Sequence, residues 1–302
     1  MGIYMKSLID CTINGNRFVI LQKEYFDKKD VYLIKNISSY GLLRKSIEHN
    51  MSIPSIVDKL PNVRRIQQED IKNNIYNVPV KPVDDRNVFV SSFGRTHDMI
   101  NGLPARNREL DWFFKGNGST LRTTGERITL PMQSFSGGIE VEYVLVIIIT
   151  NNGRPKIVGY TIANDFSDVG MRKKYPNLAN LSKLMTTGIG HKLILTDKIP
   201  AYSKVVCKVV REGLNIWQKE SALGFENMSF PQNKLMDILF NNDLLKSPPY
   251  SVHYLLLGAS ISTDKAGFEL RHGDNIIIES IEDDLLLNNP YEEEAVIYSC
   301  CL

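Results

Sequence analysis

The sequence predicts an α+β, mainly β fold preceded by a small N-terminal α/β part. Three observations lead there. Short β-type runs separated by turn residues dominate from Asn87 onward, while helical periodicity is confined to a few brief stretches. Strands in succession with few helices argue against a doubly wound sheet. The segment Tyr76-Asn77-Val78-Pro79-Val80-Lys81-Pro82-Val83, with its two prolines, reads as an extended connection. The division is placed there, giving a small domain over 1–85 and a larger one over 86–302.

Asn14-Gly15-Asn16 lies between Leu8-Ile9 and Phe18-Val19-Ile20-Leu21 and predicts an early hairpin. The spacing of Leu43 and Ile47 predicts a helix over 39–47, and a second short one is expected over 53–60. In the larger part, strands are expected at 88–91, 128–130, 141–150, 157–163, 192–195, 203–211, 214–218 and 275–281. Arg211-Glu212-Gly213-Leu214 supplies a hairpin turn between two of them. Helices are expected over 167–175 and over 231–240, the latter with Leu235, Ile238 and Leu239 on one face. The stretch 96–127 contains Gly102, Pro104, Gly116 and Gly118 and is poorly periodic, so it reads as a long loop that closes over a ligand.

Thirty-six basic and thirty-four acidic residues in 302 leave a formal charge of +2. That balance argues against a nucleic-acid or other polyanion binder, which shows a basic excess. Cys11, Cys207, Cys300 and Cys301 have neither C-x-x-C spacing nor the pattern of a disulfide framework, which points to a reducing compartment. The longest apolar run, 144–149, is far shorter than a membrane span, and the first residues lack a secretory pattern. A cytoplasmic protein without membrane attachment is expected.

The chemistry concentrates in two stretches. In Gly137-Gly138-Ile139-Glu140-Val141-Glu142-Tyr143-Val144, side chains on a strand alternate, so Glu140 and Glu142 share a face. Adjacent carboxylates repel unless they share a proton or a cation. Oxygen ligands favour Mg²⁺, Mn²⁺ or Ca²⁺. The alternative is a solvated strand end with two ordinary glutamates. In Val158-Gly159-Tyr160-Thr161-Ile162-Ala163-Asn164-Asp165-Phe166-Ser167-Asp168, an apolar strand ends at Asn164-Asp165. Asp165 is there either a functional carboxylate or, like Ser167, a helix N-cap. No Gly-x-Ser-x-Gly elbow and no P-loop occurs, so serine-hydrolase and NTPase chemistry have no support. None of His49, His97, His191, His253 and His272 has metal-type spacing to another.

Together the two stretches resemble the fumarylacetoacetate hydrolase superfamily, in which an E-x-E pair and the Asp of a G-Y-T-x-x-N-D-x-S segment hold one divalent metal. The matching positions are Glu140, Glu142 and Asp165. Leu181-Ser182-Lys183, Gly188-Ile189-Gly190, Gly273-Asp274-Asn275 and Asn289-Pro290 match further family signatures. Trp112-Phe113-Phe114-Lys115-Gly116-Asn117-Gly118-Ser119, Glu226-Asn227-Met228-Ser229 and Asn288-Asn289-Pro290 resemble a branch of sugar-acid catabolism that includes 2-keto-3-deoxy-sugar-acid dehydratases. The resemblance covers about residues 85 to 292. Three segments depart from the pattern: Asp168-Val169-Gly170 replaces Ala-Arg-Asp, Lys183-Leu184-Met185-Thr186-Thr187-Gly188-Ile189-Gly190 lacks the aspartate and proline of Lys-x-x-Asp-Thr-x-x-Pro-x-Gly-Pro, and Gly258-Ala259 replaces Gly-Thr, for which Ser260 or Ser262 is the substitute.

The resemblance implies a mixed β-sheet roll, a homodimer, and Mg²⁺ or Mn²⁺ on Glu140, Glu142 and Asp165. It implies a small-molecule 2-oxo acid substrate whose two oxygens reach the metal, which stabilises an enolate. Lys183 is then expected beside the enolate oxygen, and His97 as an acid/base or positioning group. Lys115, Arg95, Thr187, Gly188 and Ser260 are expected to contact substrate. Three outcomes follow: dehydration of a 2-keto-3-deoxy sugar acid, acylpyruvate C–C hydrolysis or decarboxylation on the same site, and a member that binds ligand without turnover.

Overall fold

The computed structural model describes residues 5–25, 28–67, 74–97, 110–241 and 246–294, with two strand fragments at 99–100 and 103–104. Cys300, Cys301 and residues 98, 101–102 and 105–109 of the expected closing loop lie outside the described residues.

The molecule is mainly β and is built on two large sheets. The first runs in the order Val63–Ile66, Lys29–Lys35, Asn16–Glu24, Met5–Ile13, Lys192–Ile194, Pro155–Asn164, Glu140–Ile149, Val252–Leu256, Val88–Gly94, Asp111–Gly116. The second runs Ile128–Leu130, Leu285–Glu293, Asn275–Ser280, Ser203–Arg211, Leu214–Leu223. The N-terminal part is thus continuous with the larger one, because Ser7, Leu8 and Ile9 pair with Ile194, Leu193 and Lys192.

The early hairpin forms around Asn14, a non-glycine residue at φ 49°, and Gly15 at φ 75°. Positive φ at both centre positions is what a tight two-residue turn demands. The first helix spans Ser39–Glu48, with the Ser38 side chain accepting from the Gly41 amide as N-cap. The second spans only Ile53–Val57. Every strand expected in the larger part forms, with ends shifted by a few residues, and the two helices there span Val169–Lys174 and Gln232–Phe240.

The four longest of the strands that were not expected are Lys29–Lys35, Asp111–Gly116, Val252–Leu256 and Leu285–Glu293. The stretch 96–127 is correspondingly not one long loop. It contains Asp111–Gly116, a helical turn at Gly118–Thr120 and a strand at Leu121–Thr123.

The strand Glu140–Ile149 organises the interior. It is buried along its whole length, as a strand covered on both faces must be. Its odd residues Val141, Tyr143, Leu145 and Ile147 join the core between the two sheets, with Val205, Cys207, Ile276 and Leu287. Its even residues Val144, Val146 and Ile148 pack on the other side with Leu8, Leu21, Leu42 and Val90. Glu140 and Glu142 continue this even face at the strand's start.

Candidate metal centre

Three carboxylates are brought together by one hairpin end. Val141 pairs with Asn164 in the antiparallel ladder, and the Asp165 amide donates to the Glu140 carbonyl at 2.8 Å. The Asn164 side chain accepts from the Glu140 amide at 3.2 Å. Asp165 therefore leaves its strand directly beside Glu140. Glu140, Glu142 and Asp165 are all buried, and each offers an oxygen within 4.8 Å of the other two. The helix that follows is capped by neither Asp165 nor Ser167. Asp168 is the N-cap, accepting from the amides of Met171, Phe135 and Ser136, which leaves Asp165 for the site.

Each carboxylate has its own supports. Ser92 Oγ donates to Asp165 Oδ2 at 2.6 Å, and the Gly258 amide donates to Glu142 Oε2 at 2.7 Å. Lys183 Nζ lies 2.5 Å from Glu140 Oε2 and 2.8 Å from Asp165 Oδ2. Lys115 Nζ lies 2.5 Å from Asp165 Oδ1, and Arg172 Nη2 lies 3.0 Å from Glu140 Oε1.

Burial works to raise the Asp165 carboxyl, but Lys115 and Lys183 outweigh it and hold the group well below the carboxylate range. Burial, reinforced by Asp165, drives Glu142 well above its ordinary value. Lys183 loses hydration on burial, yet Asp165 and Glu140 push its ammonium above the usual lysine value. Lys115 is lowered, burial prevailing over the pull of Asp165. Oxygen-only donors on three converging carboxylates, with a cationic side chain already shared between Glu140 and Asp165, suit a hard divalent cation.

A cleft of about 440 Å³ opens onto this cluster. Among its lining residues are Arg95, His97, Phe113, Glu140, Glu142, Arg172 and Lys183. His97, half-buried, places Nδ1 3.0 Å from Thr96 Oγ1. Arg95 is at the mouth, paired with Asp111 at 2.9 Å and held at φ 60°.

Other expected substrate contacts are placed differently. Lys115 is 0% exposed and spends its donors on Asp165, the Phe166 carbonyl and the Lys183 carbonyl, the last two at 3.0 Å. It underpins the carboxylates and does not reach the cleft. Thr187 and Gly188 lie in the short strand Thr187–Ile189 behind Asp165, Gly188 packing against Asn289, Leu287 and Asn164. Ser260 donates its amide to the Val141 carbonyl, and its neighbours Ala259 and Ser262 line the cleft in its stead.

Sequence reasoning missed Arg172, Ser92, Gly258 and Asp264. Arg172 Nη2 also approaches Asp264 at 3.6 Å, and Lys173 pairs with the same carboxylate at 2.6 Å. The only sequence signal for Arg172 was its place within the helix expected after Asp165.

Gly258 has a conformational requirement. It adopts φ 95°, and a Cβ there would stand 1.8 Å from Thr96 Oγ1. Gly258→Ala is expected to lower the unfolding free energy by about 3 kcal/mol, from backbone strain and overpacking. It should also displace the amide that holds Glu142. Denaturant unfolding checks this, and an unchanged midpoint would show that the segment relaxes freely.

No family model matches the sequence, and no curated protein matches it. Solved structures do. A hexagonal crystal form of 2-keto-3-deoxyarabinonate dehydratase is 19% identical, covers 96% of this chain and 100% of its own, and gives a TM-score of 0.69. 2-Keto-3-deoxy-D-arabinonate dehydratase complexed with magnesium and 2,5-dioxopentanoate is 18% identical over the same shares, with a TM-score of 0.66. 5-Carboxymethyl-2-hydroxymuconate delta-isomerase from Mycobacterium smegmatis is 15% identical, covers 95% of this chain and 100% of its own, and gives 0.63. These likenesses establish the fold.

Proposed function

We propose that the chain is a divalent-metal-dependent lyase that removes water from a 2-keto-3-deoxy sugar acid or a related 2-oxo acid. The observation that carries this reading is the convergence of Glu140, Glu142 and Asp165 within 4.8 Å, with Glu140 and Glu142 lining a cleft. Support comes from the fold shared with a dehydratase whose solved complex contains magnesium and 2,5-dioxopentanoate.

Mg²⁺ or Mn²⁺ held by the three carboxylates would supply Lewis acidity toward the oxygens of the 2-oxo acid. The residues of this chain do the rest. Ser92 and the Gly258 amide fix the orientation of Asp165 and Glu142. Lys183 adds positive charge where the keto oxygen gains electron density. His97 stands on the cleft wall, placed to move a proton at C3 or at the departing hydroxyl. The Arg95–Asp111 pair at the mouth presents both donors and acceptors, which suits the hydroxyls of a sugar acid.

The test is incubation of purified protein with a panel of 2-keto-3-deoxy sugar acids and simpler 2-oxo acids, followed by mass spectrometry. Loss of one water that depends on Mg²⁺ or Mn²⁺ and stops with EDTA is the expected result. Absence of turnover across the panel would sink the lyase reading.

His97 in the cleft also favours a second reading, hydrolysis of an acylpyruvate C–C bond, since such a step needs a base to activate water. Two acid products in place of one dehydrated product would select it, and His97→Ala would then abolish it.

We further propose a homodimer in the cytoplasm. No helix among the described residues is long and apolar enough to cross a membrane. Cys11 and Cys207 are free, and burial pushes both thiols up to about 12, which suits a reducing compartment.

A further inference from the structure

Thr96 is fully buried and sits where three parts of the chain meet. Its carbonyl accepts from the Ser229 amide at 2.6 Å, in the stretch Glu226-Asn227-Met228-Ser229. Its hydroxyl oxygen has two polar neighbours, the Leu257 carbonyl oxygen at 2.5 Å and His97 Nδ1 at 3.0 Å.

A hydroxyl has one proton to give and two lone pairs to receive with, whereas a carbonyl oxygen can only accept. Two oxygens 2.5 Å apart repel unless a proton lies between them, and with one they form a short O–H···O hydrogen bond. The Thr96 proton is therefore committed to Leu257. Thr96 Oγ1 has only a lone pair left for His97, so Nδ1 must carry the hydrogen of the contact at 3.0 Å. In the neutral ring only one nitrogen is protonated, and the basic lone pair then belongs to Nε2.

We propose that Thr96 is a positioning residue that commits His97 to the Nδ1–H form and so makes Nε2 the atom that takes the substrate's proton. The inference rests on the reading of His97 as the proton-transferring group of the cleft. Nε2 takes a proton from C3 while the C–H electron pair passes into the enolate. The imidazolium then returns that proton to the hydroxyl that leaves as water, and the ring ends as it began. Without the Thr96 acceptor both neutral forms are open to the ring, and only one of them has its lone pair on Nε2.

The same contact ties the histidine to the carboxylates. The Leu257 carbonyl belongs to the peptide group whose amide, that of Gly258, donates to Glu142 Oε2 at 2.7 Å. One peptide plane thus anchors the base on one side and a member of the triad on the other.

The test is NMR of the full-length protein with labelled histidine ring nitrogens, at a pH where the His97 ring is neutral, the His97→Gln spectrum identifying the signals. Wild type is expected to carry the proton on Nδ1. Thr96→Val keeps the shape and loses the acceptor, so signals of the Nε2–H form are expected to appear. On the acid that wild type dehydrates, kcat of T96V should fall by about 10-fold or more with KM little changed. Thr96→Ser retains the hydroxyl and is expected to retain the Nδ1–H form.

A wild-type ring protonated on Nε2 overturns the inference, whatever the activity and whether or not T96V folds. T96V that is native by circular dichroism and keeps the Nδ1–H form alone, or that changes form with kcat unaltered, overturns the role of Thr96. An Nδ1–H ring in wild type with no turnover of any acid in the panel upholds the assignment of the proton and sinks the lyase reading, so the wild-type spectrum tells the two failures apart.

Discussion

Asp165→Ala is expected to abolish Mn²⁺ binding and turnover, and to lower the unfolding free energy by about 3–5 kcal/mol. The stability loss is the more diagnostic part. Asp165 is buried, and it accepts from Ser92 and pairs with both Lys115 and Lys183. Removing it leaves one fully buried ammonium without a counter-charge and a second with only Glu140. Taking one partner from a buried ion cluster costs more than the cluster contributes as a whole, because the remaining charges have no water to turn to. Asp165→Asn should lose metal equally and recover part of the stability, since an amide keeps a hydrogen-bonding oxygen. Denaturant melts in EDTA separate the terms. An alanine variant as stable as wild type would mean that the lysines find other partners.

Lys115→Met is expected to destabilise the fold by about 2–4 kcal/mol, from an uncompensated carboxylate oxygen and two carbonyls deprived of a donor. Methionine fills much the same volume, so the loss is electrostatic and not a cavity effect. Any fall in activity should track the unfolded fraction and the disturbed Asp165, affecting kcat and KM together. A raised KM with an unchanged melting temperature would instead restore Lys115 to the substrate-binding role that its sequence context suggests.

Lys115 shows where sequence reading stops. Trp112-Phe113-Phe114-Lys115-Gly116 lies in a stretch expected to close over a ligand, and Lys115 was read there as a substrate contact. Its burial is decided by Asp165, Phe166 and Lys183, which are separated from it by 50 to 68 residues. No local pattern encodes such partners. The clustering of the three carboxylates was legible through the family resemblance, and its geometry is local: an alternating strand sets Glu140 and Glu142 on one face, and the antiparallel partner strand returns Asp165 beside them.

Val252–Leu256 escaped notice because it is buried throughout, so it lacks the alternation that marks a half-exposed strand. Leu285–Glu293 was obscured by Asn288-Asn289-Pro290, residues that ordinarily signal a turn. Here Pro290 pairs with Asn275, and Asn289 is buried with its side-chain amide donating to the carbonyls of Thr123 and Glu126. Arg172 was within a correctly expected helix, but its role depends on Asp264, which arrives from 92 residues later.

The strand Glu140–Ile149 divides its side chains between the chemistry and one core on the even face and the inter-sheet core on the odd face. It therefore behaves as a ruler of fixed length. Substitutions along it trade one apolar residue for another at modest cost. A single inserted or deleted residue between Glu142 and Val144 has no such option. With the carboxylates kept in place, every residue beyond the change turns to the opposite layer; with the layers kept in place, the carboxylates turn into the inter-sheet core. The strand thus tolerates exchange among its apolar residues but not a change in the number of residues between the carboxylates and the core.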